Sequence, residues 1–166
     1  MKKIILSVLG LFLIGCSVSG MDDYNKGVEY QQQQQNDLAE QQFKLALQEN
    51  PDMAEAHLNM GKIYLDLDRG WLEGAENSTK KAIEIFERTK VTYEKGSDYK
   101  QPLSAAYNNL GVIEIQRDLQ AETVFNMPVA KQHYLKAMGY FKNAVDLDPM
   151  DSQAQANLSK FKGVSF

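Results

Sequence analysis

NKGVEYQQQQQNDLAEQQFKLALQENP, residues 25–51, decides how the chain is read. Gly27 and Tyr30 stand three apart, and Ala39, Phe43 and Ala46 follow at spacings of four and three. Residues three and four apart share one face of an α-helix, so the stretch reads as two helices with matching stripes. Gly27, Ala39 and Ala46 are small where two antiparallel helices would approach, while Tyr30 and Phe43 fill the space beside them. Pro51 has no amide hydrogen and clashes with the preceding turn, so Asn50-Pro51 ends the helix predicted over 37–49. The next helix is expected after Asp52, a candidate N-cap. The five glutamines at 31–35 read as a solvent-facing helix end.

The signature recurs down the chain. Asn25-Lys26-Gly27, Asn59-Met60-Gly61, Asn109-Leu110-Gly111 and a degenerate Asn157-Leu158-Ser159 are separated by 34, 50 and 48 residues. With Tyr30, Ala39, Phe43, Ala46 and Pro51 placed as above, the first unit resembles the tetratricopeptide repeat, whose period is 34. The second unit carries His57, Met60, Gly61 and Tyr64, then Ala75 and Ala82, with Thr79 where the family has Phe. Tyr107, Leu110 and Gly111 open the third, with Glu114 where the family has Tyr, and Ala137, Phe141, Ala144 and Leu147 close it. His57 is expected in the core.

The fold class implied is all-α, a tetratricopeptide-type α-solenoid of about three helix-turn-helix repeats plus a C-terminal capping helix. Periodicity places helices at 22–34, 36–49, 53–67, 71–94, 102–120, 128–148 and 152–162, with no run alternating as a strand does. The repeat units are about 20–53, 54–101 and 102–151, with the cap at 152–162, inside one domain over 22–166. Segments 82–105 and 111–137 each run about 14 residues beyond the period. The second excess falls at a hairpin tip, 116–128, read as a loop-like insertion. Its apolar Val124, Phe125 and Met127 either tuck onto the hairpin, the favoured reading, or meet a partner.

The start of the chain reads as an address. Lys2 and Lys3 precede residues 4–14, all apolar except Ser7 and Gly10, which as a helix would span about 16 Å, short of a ~30 Å hydrocarbon core. That is the pattern of a secretory signal over 1–15. Leu13-Ile14-Gly15-Cys16 resembles the bacterial lipobox, which implies cleavage before Cys16, lipid attachment to it and a short tether over 16–21. Ser17, where an Asp favours inner-membrane retention, implies outer-membrane sorting, with the domain at the periplasmic face. Loss of Lys2 and Lys3 leaves 16 basic against 22 acidic residues, a net charge of −6. An acidic chain disfavours nucleic acid as a partner. One cysteine allows no internal disulfide and no cysteine-rich zinc site.

No catalytic motif is found: no H-E-x-x-H, Walker loop, G-x-S-x-G or glycine-rich dinucleotide turn. His133 is expected half-exposed near a helix start with no partner in the sequence, and residues 66–70 lack the ligands of a calcium loop. No metal, no cofactor and no enzyme activity are expected. Trp71 reads as packing at the start of a helix, with a partner hot spot as the second reading.

The resemblance implies a peptide-binding concave face built from the first helix of each repeat. The matching positions are Tyr24, Asn25, Val28, Glu55, Asn59, Lys62, Asn108, Asn109 and Val112. Chaperone-binding members of the family grip two carboxylates with Lys, Asn and Arg. Only Asn59 matches that clamp, and Tyr24, Val28, Ala105 and Asn109 occupy its other positions. An Asn amide both donates and accepts, which suits an extended backbone, although these residues equally serve to pair helices. The function so implied is a membrane-anchored adaptor in bacterial envelope assembly, similar to pilotins and other envelope lipoproteins, with an envelope protein or peptide segment as partner. The alternative is an accessory activator or substrate adaptor of a periplasmic protease or peptidoglycan enzyme.

Overall fold

The computed structural model describes residues 19–66, 71–93, 99–123 and 127–162. Among them are seven helices and no strand: α1 (Met21–Gln32), α2 (Asn36–Glu49), α3 (Ala54–Asp66), α4 (Leu72–Tyr93), α5 (Lys100–Thr123), α6 (Met127–Leu147) and α7 (Ser152–Phe161). The chain is the expected all-α solenoid of tetratricopeptide type. Sequence neighbours pack as the hairpins α1–α2, α3–α4 and α5–α6, and α7 lies against α5 and α6.

The small-and-large register holds in the first and third hairpins. Phe43 and Phe141 are almost fully buried. A Cβ on Gly27 would lie 2.6 Å from the Phe43 ring, and one on Gly111 would strike the Phe141 ring. Burying one such ring contributes about 2–3 kcal/mol, and only a glycine leaves room for it here. In the middle hairpin Thr79 replaces the ring and lies against Gly61. Thr79 is fully buried, and its hydroxyl makes no hydrogen bond. The core runs from α1 through α5 in one cluster, with a second around Phe86 and Leu103 where α4 meets α5.

Three local expectations are corrected. First, α1 ends at Gln32 and not at 34, because Gln34 turns left-handed with φ +59°. The Gln35 amide then reaches the Tyr30 carbonyl (2.9 Å) and the Gln34 amide the Gln31 carbonyl (3.0 Å), a Schellman closure built without glycine. Second, Asp52 does not cap α3. The Met53 carbonyl accepts the first helical bond, from His57 (3.3 Å), and the Asp52 carboxylate pairs instead with Arg88 on α4 (2.9 Å). Third, the segment 116–128 is not loop-like where it is described, since α5 continues to Thr123 and α6 begins at Met127. Pro102 and Pro128 fall in the first turns of α5 and α6, where a missing amide hydrogen costs nothing.

Helix α5 lies between α3, α4, α6 and α7. It therefore buries polar side chains as well as apolar ones: Ser104, Asn108, Glu114 and Asp118 are all enclosed. Buried polar groups need partners, and those partners fix how the neighbouring helices sit on α5.

Candidate binding groove between α3 and α5

A groove of about 350 Å³ opens between α3 and α5. Leu58, Asn59, Lys62, Leu65 and Asp66 line one wall, and Ala105, Asn108, Asn109, Val112 and Gln116 the other. Asp151 and Gln153, at the start of α7, close one end. Each wall follows the three-and-four spacing that puts side chains on one helical face.

Five of the positions singled out from the sequence meet in this groove: Asn59, Lys62, Asn108, Asn109 and Val112. Their environments differ. Asn108 is buried, and its Oδ1 accepts a hydrogen bond from Asn157 Nδ2 (2.8 Å), so its amide is committed to holding α7. Asn109 and Val112 are partly exposed along the same helix, and Lys62 is exposed. Asn59 Nδ2 lies 3.4 Å from the Tyr24 hydroxyl, which links α3 to α1. Tyr24 also packs against Phe43, with centroids 5.7 Å apart. Burial, reinforced by the Glu55 charge, pushes the Tyr24 phenol up from its ordinary value.

None of the α1 positions, Tyr24 included, lines the groove. Val28 packs into the core, and Asn25 is exposed on its helix. Met127, at the first position of α6, is 53% exposed, so it does not tuck onto the hairpin. Cys16, Val124 and Phe125 lie outside the described residues.

Two histidine expectations change. His57 is not a core residue: it is partly exposed, and its Nε2 sits 2.9 Å from the Pro51 carbonyl. The ring thereby closes the turn before its own helix. His133 does have a partner, Glu114 Oε2 on α5, at 2.6 Å. Glu114 also meets Arg117 (3.3 Å), and Arg117 reaches Glu76 on α4 (2.5 Å), which in turn pairs with Lys80 (2.6 Å). This chain of polar contacts crosses α4, α5 and α6. The Arg117 bond, against the opposing effect of burial, holds the Glu76 carboxyl well below the usual range, at about 2.

Trp71 is 45% exposed and leans on the Tyr64 ring, with centroids 5.3 Å apart. Tyr64 donates to Glu40 (3.2 Å), and burial together with that carboxylate raises its phenol to about 12. Among the described residues no group of His, Cys, Asp or Glu is arranged to hold a metal ion.

The positions missed in the sequence are Leu58, Leu65, Asp66, Gln116, Asp151 and Gln153. Spacing along α3 and α5 carried the signal for the first four, since they repeat at three or four from Asn59, Lys62 and Val112. Nothing local announced the α7 pair, which arrives by the packing of the cap. The additions bring both apolar side chains, Leu58 and Leu65, and polar ones, Asp66, Gln116, Asp151 and Gln153, to the groove that Lys62 also lines.

Residues 24–53 match a family model described as a tetratricopeptide repeat. The match covers one unit, α1 and α2 with the turn after them. No curated protein matches the chain. Tetratricopeptide repeats are protein-interaction modules and typically not catalytic. The function class of this scaffold is accordingly protein–protein interaction, with a protein as its partner.

Proposed function

We propose that the chain is a membrane-anchored adaptor that holds an extended segment of an envelope protein in the α3–α5 groove. The observation that carries this reading is the groove wall itself. Asn59 and Asn109 face a common space of about 350 Å³ with Lys62, Val112 and Gln116. Amides that donate and accept can pair with the backbone of an extended peptide whatever its sequence, and Val112 and Leu58 offer apolar contact between them. In this reading the anchor is a lipid on Cys16, and Ser17 supports sorting to the periplasmic face of the outer membrane, in the manner of pilotin-like lipoproteins.

Two experiments test the two halves. Asn59→Ala combined with Asn109→Ala should cut crosslinked partner recovered from native membranes about tenfold, since two lost hydrogen bonds at about 0.5–1.5 kcal/mol each give that order. The melting temperature should move by no more than a few degrees. Partner recovery unchanged in the double variant refutes the groove. Separately, Cys16→Ala should leave an unprocessed or soluble protein, and its continued sedimentation with the outer membrane refutes the anchor.

A further inference from the structure

The first described residues are fastened to the far end of α2. Gly20 donates its backbone N–H to Glu49 Oε2 at 2.7 Å. Ser19 Oγ lies 3.3 Å from the same oxygen and 3.4 Å from the Glu49 carbonyl. Gly20 is buried, with φ +82°, and a Cβ there would lie 2.5 Å from the Ala46 carbonyl oxygen. Its own carbonyl accepts from Tyr24, the first bond of α1. No side chain caps α1 at Gly20, so Glu49 supplies the acceptor from the neighbouring helix.

Glu49 stands at an unusual place for an acid. A carboxylate at a helix C-terminus is disfavoured by the helix dipole. Here the antiparallel α1 brings its positive N-terminal end alongside, and the Ser19 and Gly20 donors offset the cost. The clasp is therefore specific to a chain that arrives at this point in this direction.

Just two residues, Ser17 and Val18, separate the clasp from Cys16. Three chain steps span at most about 11 Å. Resting on the anchor reading above, we infer that the clasp seats the first repeat against the bilayer, with the edge formed by the start of α1, the end of α2 and the turn 50–53 facing the headgroups. That edge carries Asp22, Asp23, Glu49 and Asp52 against Lys26 and Arg88, which pair with Asp23 and Asp52, so its net charge is negative and does not favour anionic lipid. It is held there by the anchor and the shortness of the tether. The α5–α6 hairpin packs two layers away, roughly 20 Å by ordinary helix spacing, and its tip lies at the opposite edge of the solenoid.

Cys16 is the sole cysteine. Once it is acylated, a thiol introduced by Gln48→Cys or Gln132→Cys takes a fluorophore at one known place. Both positions are exposed, the first near the clasp and the second on α6. The full-length lipidated protein is placed in phosphatidylcholine vesicles containing a headgroup-linked quencher. Quenching at position 48 should exceed that at 132 by about twofold or more, given the short reach of the tether. Ten Gly/Ser residues inserted between Val18 and Ser19 add roughly 17 Å of flexible chain and should erase the difference without disturbing the fold. Equal quenching at the two positions in protein that sediments with vesicles overturns this inference and leaves the anchor standing. So does a difference that survives the insertion. Protein that never sediments with vesicles overturns the anchor reading and this inference together.

Discussion

At the residue scale, Gln34 shows where the sequence misleads. Five identical residues give no cue to which one leaves the helix, and a left-handed C-terminal position is ordinarily marked by glycine. Hydrogen bonding decides it: the Gln34 and Gln35 amides find the carbonyls of Gln31 and Tyr30 when Gln34 sits at φ +59°. An L-residue pays about 1–2 kcal/mol for that conformation, less what glycine loses in chain entropy. Gln34→Gly should raise stability by about 0.5–1 kcal/mol, read as a higher midpoint in urea at unchanged slope. Gly27 and Phe43 were legible for the opposite reason. Their identities are set by contact across a single hairpin, and the residues that touch are sixteen apart in one short stretch.

Helix pairs were legible where both partners lie close in sequence, and illegible where a third element intervenes. Glu114 looked like a failed tyrosine because its partners lie elsewhere, His133 on α6 and, through Arg117, Glu76 on α4. No spacing rule connects residues 76, 114, 117 and 133. The arrangement has a measurable consequence in acid. Glu76 titrates near 2 in the folded protein, against an ordinary value of 4.5. A depressed carboxylate contributes stability that is complete above 4.5 and is lost as pH falls toward 2. After solvent screening the contribution is about 1–2 kcal/mol. Arg117→Met should therefore lower the melting temperature by several degrees at pH 7, and the difference from the parent should shrink as pH falls from 4.5 toward 2. A difference independent of pH would assign the effect to lost packing of the arginine stem.

For the whole molecule, the solenoid ends where α7 covers the last hairpin. Asp151 caps α7 through the Gln153 and Ala154 amides (3.0 and 2.9 Å) and accepts from Ser104 on α5 (2.8 Å). Phe161 stacks on Phe141, with centroids 6.1 Å apart and planes at 9°, and its carbonyl accepts from the Tyr134 hydroxyl. The family resemblance implied the cap, and periodicity placed its helix at 152–162. Neither gave a sign that the cap also walls the groove, since Asp151 and Gln153 reach that space through the packing of α7 on α5. Phe161→Ala should cost about 1–3 kcal/mol in denaturant melts, because a partly buried ring leaves the end of the stack. Asn109 and Val112 belong to α5 itself, so that loss should reach partner binding only through the α7 end of the groove.

The unbroken run of α5 from Lys100 to Thr123 has a mechanical meaning. The groove wall and the distal end of the long hairpin are two parts of one rod. From Gly111 to Thr123 the rod extends about 18 Å. A tilt of about 10° pivoting at Gly111 would displace its end by about 3 Å, by simple leverage on that length. Glu114, His133 and Arg117 sit between fulcrum and end, where they resist that swing. A load applied to the tip is thus felt at Asn109 as a rotation of the wall, without any hinge in between.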